Sequence, residues 1–267
     1  MSRLLILFVA CASACYATAC APGGVGLDPD AGDANVGPMG DGGPADSGLP
    51  VTEAPLGRLS LGGAHTCWLD GFGVTYCWGS NNRGQLGDGT LSGHATPKKV
   101  VDIPHASALA GKTSQNCAIT GQGDARCWGS NNYGQLGTGS SAELRSSPVL
   151  VASVSSVAEL SVGALHMCAR VAAGVPWCWG ANLSGSLGRG NEGGKALPGP
   201  VNDLTGTLGV SSGTSFSCVV TSTGGVSCWG RNSQGQLGDG TQTDHYAPVA
   251  VVGLPETRRK RVPICQP

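Results

Sequence analysis

A Cys-Trp-Gly triplet recurs four times, as Cys77-Trp78-Gly79, Cys127-Trp128-Gly129, Cys178-Trp179-Gly180 and Cys228-Trp229-Gly230. A second cysteine precedes each triplet at a fixed distance: Cys67, Cys117, Cys168 and Cys218. The same loop follows each one, written Ser80-Asn81-Asn82-Arg83-Gly84-Gln85-Leu86-Gly87 in the first copy. Only the third copy departs from its Gln-Leu-Gly ending, with Ser186 in place of the glutamine. A self-similar period of about fifty residues marks an array, in which one supersecondary unit buries its apolar face against its neighbours.

Each cysteine pair brackets a hairpin. In the first copy Asp70-Gly71-Phe72-Gly73 is a turn signal between two short strand-like runs. Folding the chain about Phe72 sets Trp68 opposite Tyr76 and Cys67 opposite Cys77; the equivalent centres are Gln122, Ala173 and Thr223. Cysteines opposite each other on antiparallel strands sit at disulfide distance. The expected bonds are Cys67–Cys77, Cys117–Cys127, Cys168–Cys178 and Cys218–Cys228, each worth about 2–3 kcal/mol by loop-closure entropy. Four-cysteine zinc sites use paired cysteines a few residues apart, whereas here each pair is spaced as a hairpin and belongs to its own repeat. No metal or other cofactor is expected.

The remainder of the unit reads as scaffold. Asn81, Asn131, Asn182 and Asn232 can bond local backbone in the loop. Leu86, Leu136, Leu187 and Leu237 are candidates to plug it into a core. A proline and a valine-rich run follow, with Pro97, Pro148, Pro200 and Pro248 expected at strand starts. Another strand then leads to the next cysteine, for example Leu160-Ser161-Val162. Four strands per unit, repeated, predict an all-β fold: a β-propeller of about four four-stranded blades. With 45 glycines and 5% aromatic residues, the chain suits short strands joined by tight turns.

The motif W-G-x-N-x-x-G-Q-L-G, complete in three copies, resembles the repeat of the regulator of chromosome condensation family, in its bacterial, disulfide-bearing, exported form. The resemblance covers residues 56–254. It implies a propeller that usually has seven blades, so about four blades read as a partial or truncated ring. It also implies two activities: guanine-nucleotide exchange on a small GTPase, and, in some bacterial relatives, inhibition of extracytoplasmic enzymes.

The flanks carry other signals. Residues 1–20 combine Arg3, the apolar run from Leu4 to Ala10 and a small-residue segment, which reads as an export signal. Ala17-Thr18-Ala19-Cys20 resembles a lipobox, making Cys20 the lipidation candidate, with Cys15 as runner-up. That reading anchors the chain to a bacterial outer membrane or cell surface, with secretion as the alternative. Residues 21–55 are a Gly/Pro/Asp-rich linker that buries too little apolar surface to order itself. Residues 56–255 are the repeats. Residues 256–267 break the pattern with a basic tail and an unmatched Cys265.

The chain contains no nucleophile elbow, phosphate-binding loop or zinc-protease motif. A net charge of -1 gives no field to steer nucleic acid. His65 and His166 occupy one repeat position, held by Gln115 and Phe216 in the other copies, which reads as a packing site. The expected function is therefore a non-catalytic, surface or secreted protein-interaction module with an unidentified partner. Trp68 and Trp177 lie outside the shared motif and are the candidate contact residues, together with the variable segments 91–96, 140–147, 191–199 and 242–246. Nucleotide exchange, a fragment without independent function, and self-association through open blade edges are the other readings.

Overall fold

The computed structural model describes residues 57–140 and 142–255. The export segment, Cys20, the linker, the basic tail and Cys265 lie outside the described residues. Sixteen strands among the described residues form four antiparallel sheets of four, each in chain order. Blade 1 holds β1 (Arg58–Leu61), β2 (His65–Leu69), β3 (Thr75–Gly79) and β4 (His94–Lys99). Blade 2 holds β5 (Ala106–Lys112), β6 (Gln115–Thr120), β7 (Ala125–Ser130) and β8 (Leu144–Leu150). Blade 3 holds β9 (Val157–Val162), β10 (His166–Val171), β11 (Pro176–Ala181) and β12 (Lys195–Pro200). Blade 4 holds β13 (Thr207–Ser212), β14 (Phe216–Thr221), β15 (Val226–Gly230) and β16 (His245–Ala250).

The middle two strands of each blade are the cysteine hairpin. In blade 1 the register pairs Cys67 with Cys77 and Trp68 with Tyr76. The Asp70 carboxylate closes the turn by accepting the N–H groups of Phe72 and Val74, both at 2.8 Å. All four cysteine pairs are bonded, with Cα atoms 4.1 Å apart, the narrow spacing of a pair that shares no ladder hydrogen bonds. At the glycine after each tryptophan the pairing to the outer strand shifts register. These glycines have φ between 97° and 109°, and a Cβ on any of them would stand 2.2–2.7 Å from the carbonyl oxygen of Ala64, Ser114, Leu165 or Ser215. Only glycine fits there.

The outer strands differ from expectation. Pro97, Pro148, Pro198 and Pro248 lie inside β4, β8, β12 and β16 rather than at their starts. The third equivalent is Pro198, not Pro200: it stands three residues before Val201, as Pro97 does before Val100. An outer strand pairs on one side only, so a proline with its missing N–H turned outward breaks no ladder bond. The segments expected to be variable loops thus run into the outer strands.

The cores lie between blades, because strand residues alternate between two faces. Cys67, Cys77, Leu86 and Val100 of blade 1 pack against Ala118 and Trp128 of blade 2. Cys117, Cys127, Leu136 and Val151 meet Met167, Ala169 and Trp179 of blade 3. Cys168, Cys178, Leu187 and Val201 meet Val219 and Trp229 of blade 4. The inner strands β1, β5, β9 and β13 neighbour one another in sequence, and blade 4 does not pack back onto blade 1. The described blades are an open arc, not a closed ring.

Candidate functional site

The loop after each Trp-Gly carries exposed residues at its tip, and one buried asparagine builds it. Asn81 Oδ1 accepts the Leu86 N–H at 2.9 Å while its Nδ2 donates to the carbonyls of Thr90 and Ser92 at 3.1 and 3.0 Å. Asn131, Asn182 and Asn232 hold Leu136, Leu187 and Leu237 the same way, at 3.0, 3.1 and 2.9 Å. Gln85, Gln135 and Gln236 each accept the N–H two residues earlier through Oε1. Ser186 cannot reach that far. In blade 3 the Ser184 N–H turns instead to the Glu192 carboxylate, and Ser184 sits at φ 52°.

The loops of blades 1, 2 and 3 each overhang the outer strand of the next blade, that of blade 2 through Gly134 beside Lys195 and Gly139 beside Leu197. Gly89 donates its N–H to the Ser146 carbonyl, and Gly190 to that of Tyr246, at 2.9 and 2.8 Å. The Tyr246 hydroxyl donates to Glu192 at 2.9 Å. Loop tips and outer strands of neighbouring blades therefore form one continuous rim.

Two loops carry an acid–imidazole pair. His94 Nε2 lies 3.0 Å from Asp88, and His245 Nε2 lies 2.8 Å from Asp239. Burial alone would raise the Asp88 carboxyl, but hydrogen bonds from Thr90, Asn81 and His94 outweigh it and hold the group below its ordinary value. Thr90 adds a hydroxyl to the pair, and that hydroxyl donates to the same carboxylate at 2.8 Å. Imidazole and hydroxyl both serve the acid, so no nucleophile faces a base. The arrangement is a loop clasp.

Of the two tryptophans singled out by sequence, Trp68 is 39% exposed and stacks on Tyr76 with ring centroids 5.8 Å apart. Leu59, Leu61 and Phe72, also on blade 1, are exposed. Trp177 is half-buried against the core between blades 2 and 3, which leaves it less to offer a partner. The histidine position is filled by buried packing groups: His65 Nε2 meets Asn116 Nδ2, and His166 Nε2 meets the Ser217 hydroxyl, both at 2.8 Å. Gln115 uses the same place to donate to the Ala164 carbonyl at 2.8 Å. Each reaches the following blade.

The family model described as "Regulator of chromosome condensation (RCC1) repeat" matches residues 73–112, 122–170 and 223–264, and a second model of the same description matches residues 209–236. Together they take in more than half of the chain. The chain belongs to the RCC1-repeat family. The matches over residues 73–112 and 122–170 each begin in one blade's cysteine hairpin and end in the next blade, so the sequence unit straddles the structural one. Human WBSCR16 shares the fold at 23% identity and a TM-score of 0.67, over 74% of this chain and 53% of its own. Yeast RCC1 (Prp20), in a structure bound to Kap60, matches at 21% and 0.66, over 73% and 48%. Prp20p of Saccharomyces cerevisiae, described with its binding to Gsp1p and histones, matches at 21% and 0.64, over 73% and 50%. The chain spans about half the length of each.

These relatives correct part of the sequence reading. The RCC1 repeats resemble human and yeast proteins, not a bacterial exported form, and the yeast protein is seen with a specific protein partner. The export signal, lipoprotein and extracytoplasmic assignments, the surface or secreted address, the membrane partner and the unidentified partner are overturned on that ground. Self-association through open edges falls with them, and the blade faces supply a physical reason. The internal interfaces place Ala118, Ala169 and Val219 against the preceding disulfide, while blade 1 has the bulky Trp68 at that position.

Proposed function

We propose that the chain is a protein-docking module whose partner is a folded protein gripped by the rim of loops and outer strands, and that the activity served is guanine-nucleotide exchange on a small GTPase. The observation carrying this reading is the construction of the rim. Asparagine, leucine and glycine frame every loop in the same way, while the tips read Leu91-Ser92-Gly93 in blade 1, Asn191-Glu192-Gly193-Gly194 in blade 3 and Gln242-Thr243-Asp244 in blade 4. A rigid frame with differing tips suits recognition of one specific surface. Exchange needs such a grip rather than a reacting side chain: a module that binds the nucleotide-free conformation of a GTPase best shifts it toward releasing its nucleotide. Family membership and the partner-bound yeast relative support the same direction.

The test is release of fluorescent GDP from a panel of small GTPases, Gsp1p among them, with and without the chain. Accelerated release, reduced by replacing the blade 3 tip with Gly-Ser, is expected. Binding without acceleration would leave docking and remove exchange. Neither binding nor acceleration across the panel would remove both.

A further inference from the structure

The rim is sealed at two of its three seams and open at the middle one. Where the blade 1 loop lies on β8, Gly89 donates its N–H to the Ser146 carbonyl at 2.9 Å; where the blade 3 loop lies on β16, Gly190 donates to Tyr246 at 2.8 Å. The equivalent Gly139 N–H of the blade 2 loop meets no acceptor among the described residues. The glycine five residues earlier shows the same gap. A Cβ on Gly84 or Gly185 would stand 2.5–2.7 Å from main-chain atoms of β8 or β16, whereas one on Gly134 finds only the Lys195 side chain, at 3.6 Å. A cleft of about 240 Å³ lies between loop and strand, lined by Gly134, Gly139, Ser140, Lys195, Ala196 and Leu197.

The open seam goes with an altered β12. In blades 1, 2 and 4 the outer strand bulges: it advances four residues, as from His94 to Lys98, against two on its partner, Cys77 to Gly79. In blade 3 it advances three, from Ala196 to Gly199. Arg189 stands where the other loops have Asp88, Thr138 and Asp239. Its guanidinium takes the Leu197 and Gly199 carbonyls from within the blade, at 2.9 and 3.1 Å.

Charge is unbalanced at the same place. His94 and His245 stand three residues before Pro97 and Pro248, and Asp88 and Asp239 hold them at 3.0 and 2.8 Å. Arg145 and Lys195 stand equally far before Pro148 and Pro198, and neither has an acid partner among the described residues. Arg145 donates instead to the Ser140 hydroxyl at 2.8 Å. Lys195 is exposed. Of the acids nearby in sequence, Glu192 accepts the Tyr246 hydroxyl at 2.9 Å, and Glu143 pairs with neither cation.

We propose that the seam between the blade 2 loop and β12 receives an extended, acidic segment of the docked protein, whose backbone accepts the Gly139 N–H and whose carboxylate pairs with Lys195. This rests on the reading of the rim as a docking surface and names the chemistry of what docks. The cleft is smaller than the roughly 300–1,000 Å³ of a small-molecule pocket. It lies along the free edge of an outer strand, where an extended segment adds by main-chain hydrogen bonds. Leu197, 57% exposed in the cleft wall, offers an apolar contact beside the charge.

Selection of a random octapeptide library on the full-length chain tests this. Enriched peptides are expected to share an acidic residue. A selected peptide should bind Lys195→Glu about tenfold more weakly, and its acid-to-lysine counterpart should bind that variant better than wild type. Lys98→Glu, on the outer strand of blade 1, should change nothing. By amide hydrogen exchange, Gly139 should be fast in the free chain beside slow Gly89 and Gly190, and the peptide should slow Gly139 alone. Lys195 is exposed, so its reversal leaves folding intact. A selection that enriches no acidic peptide, binding indifferent to Lys195→Glu, or a Gly139 amide that the peptide does not protect would each overturn the assignment. So would a single-stranded DNA oligonucleotide, or a second copy of the chain, held through Lys195 in the peptide's place. A GTPase that docks equally well on Lys195→Glu would overturn the seam and leave the exchange reading standing. Acidic peptides bound through Lys195, with no GTPase engaged, would remove the exchange reading and leave the seam.

Discussion

Adjacent asparagines in the loops are chemically identical and physically unequal. Asn131 is buried and holds both the Leu136 N–H and the Ala142 carbonyl, at 3.0 and 2.7 Å, while its neighbour Asn132 is exposed. Asn131→Ala leaves a buried N–H and a carbonyl without partners and is expected to cost about 2–4 kcal/mol, at about 1–3 per group; Asn132→Ala should stay within about 0.5 kcal/mol. Urea denaturation of the two variants measures the contrast, and equal midpoints would refute it. A second single-residue expectation concerns pH. Burial, helped by the nearby charge of Lys112, pushes His166 down to about 4 from its ordinary 6.5. Between those values the unfolded chain binds a proton that the folded chain refuses, so stability is full above about pH 6.5 and is lost progressively down to about pH 4. The loss is at most about 3 kcal/mol. Burial pushes His65 the same way, partly offset by its bond to Asn116. His166→Gln, copying Gln115, should flatten the slope between about pH 6.5 and pH 4; an unchanged slope would show that another group carries it.

Between blades, one sequence position has two different energetic meanings. Trp179 is fully buried and donates to Gln135, so Trp179→Ala should cost about 3–5 kcal/mol. Trp78 occupies the same motif position but is half-exposed, with no preceding blade among the described residues, and Trp78→Ala should cost well under half as much in the same denaturation assay. Comparable losses would mean that the tryptophans stabilise their own blades rather than the junctions. The sequence could not supply that distinction. Hairpin register was legible because the cysteines and the Asp70-Gly71 turn fix it locally, down to Trp68 facing Tyr76. The buried roles of Leu86 and its equivalents were legible from the period. Three features were not. The third outer-strand proline was misplaced because Pro198 and Pro200 flank one glycine and only strand pairing tells them apart. The indole-to-carbonyl bonds join residues over forty positions apart, beyond any local pattern. The rim arises because a loop from one blade lies on the outer strand of the next, a relation between copies that a single copy does not contain.

Across the whole array, stability should be graded rather than uniform. Each blade is buttressed mainly by its neighbours, and in arrays of this kind an end blade has one buttress instead of two. The disulfides offer a direct reading of that gradient. Three are sealed beneath the following blade: both cysteines of each pair in blades 1, 2 and 3 are fully buried. In blade 4 Cys228 is buried but Cys218 is half-exposed, because no blade among the described residues covers the trailing face. A small thiol reaches a disulfide only through an accessible sulfur. Under limiting reductant in native buffer, Cys218–Cys228 should therefore open first and be trapped by alkylation, identified by peptide mass. Cys117–Cys127, with a covered blade on either side, should open last, at a rate set by local unfolding rather than by collision. Full reduction after denaturation should add about eight hydrogens for the four bonds. Equal native rates for all four would mean that the array unfolds as one unit before any bond is attacked, and would remove the case for a weaker, open end.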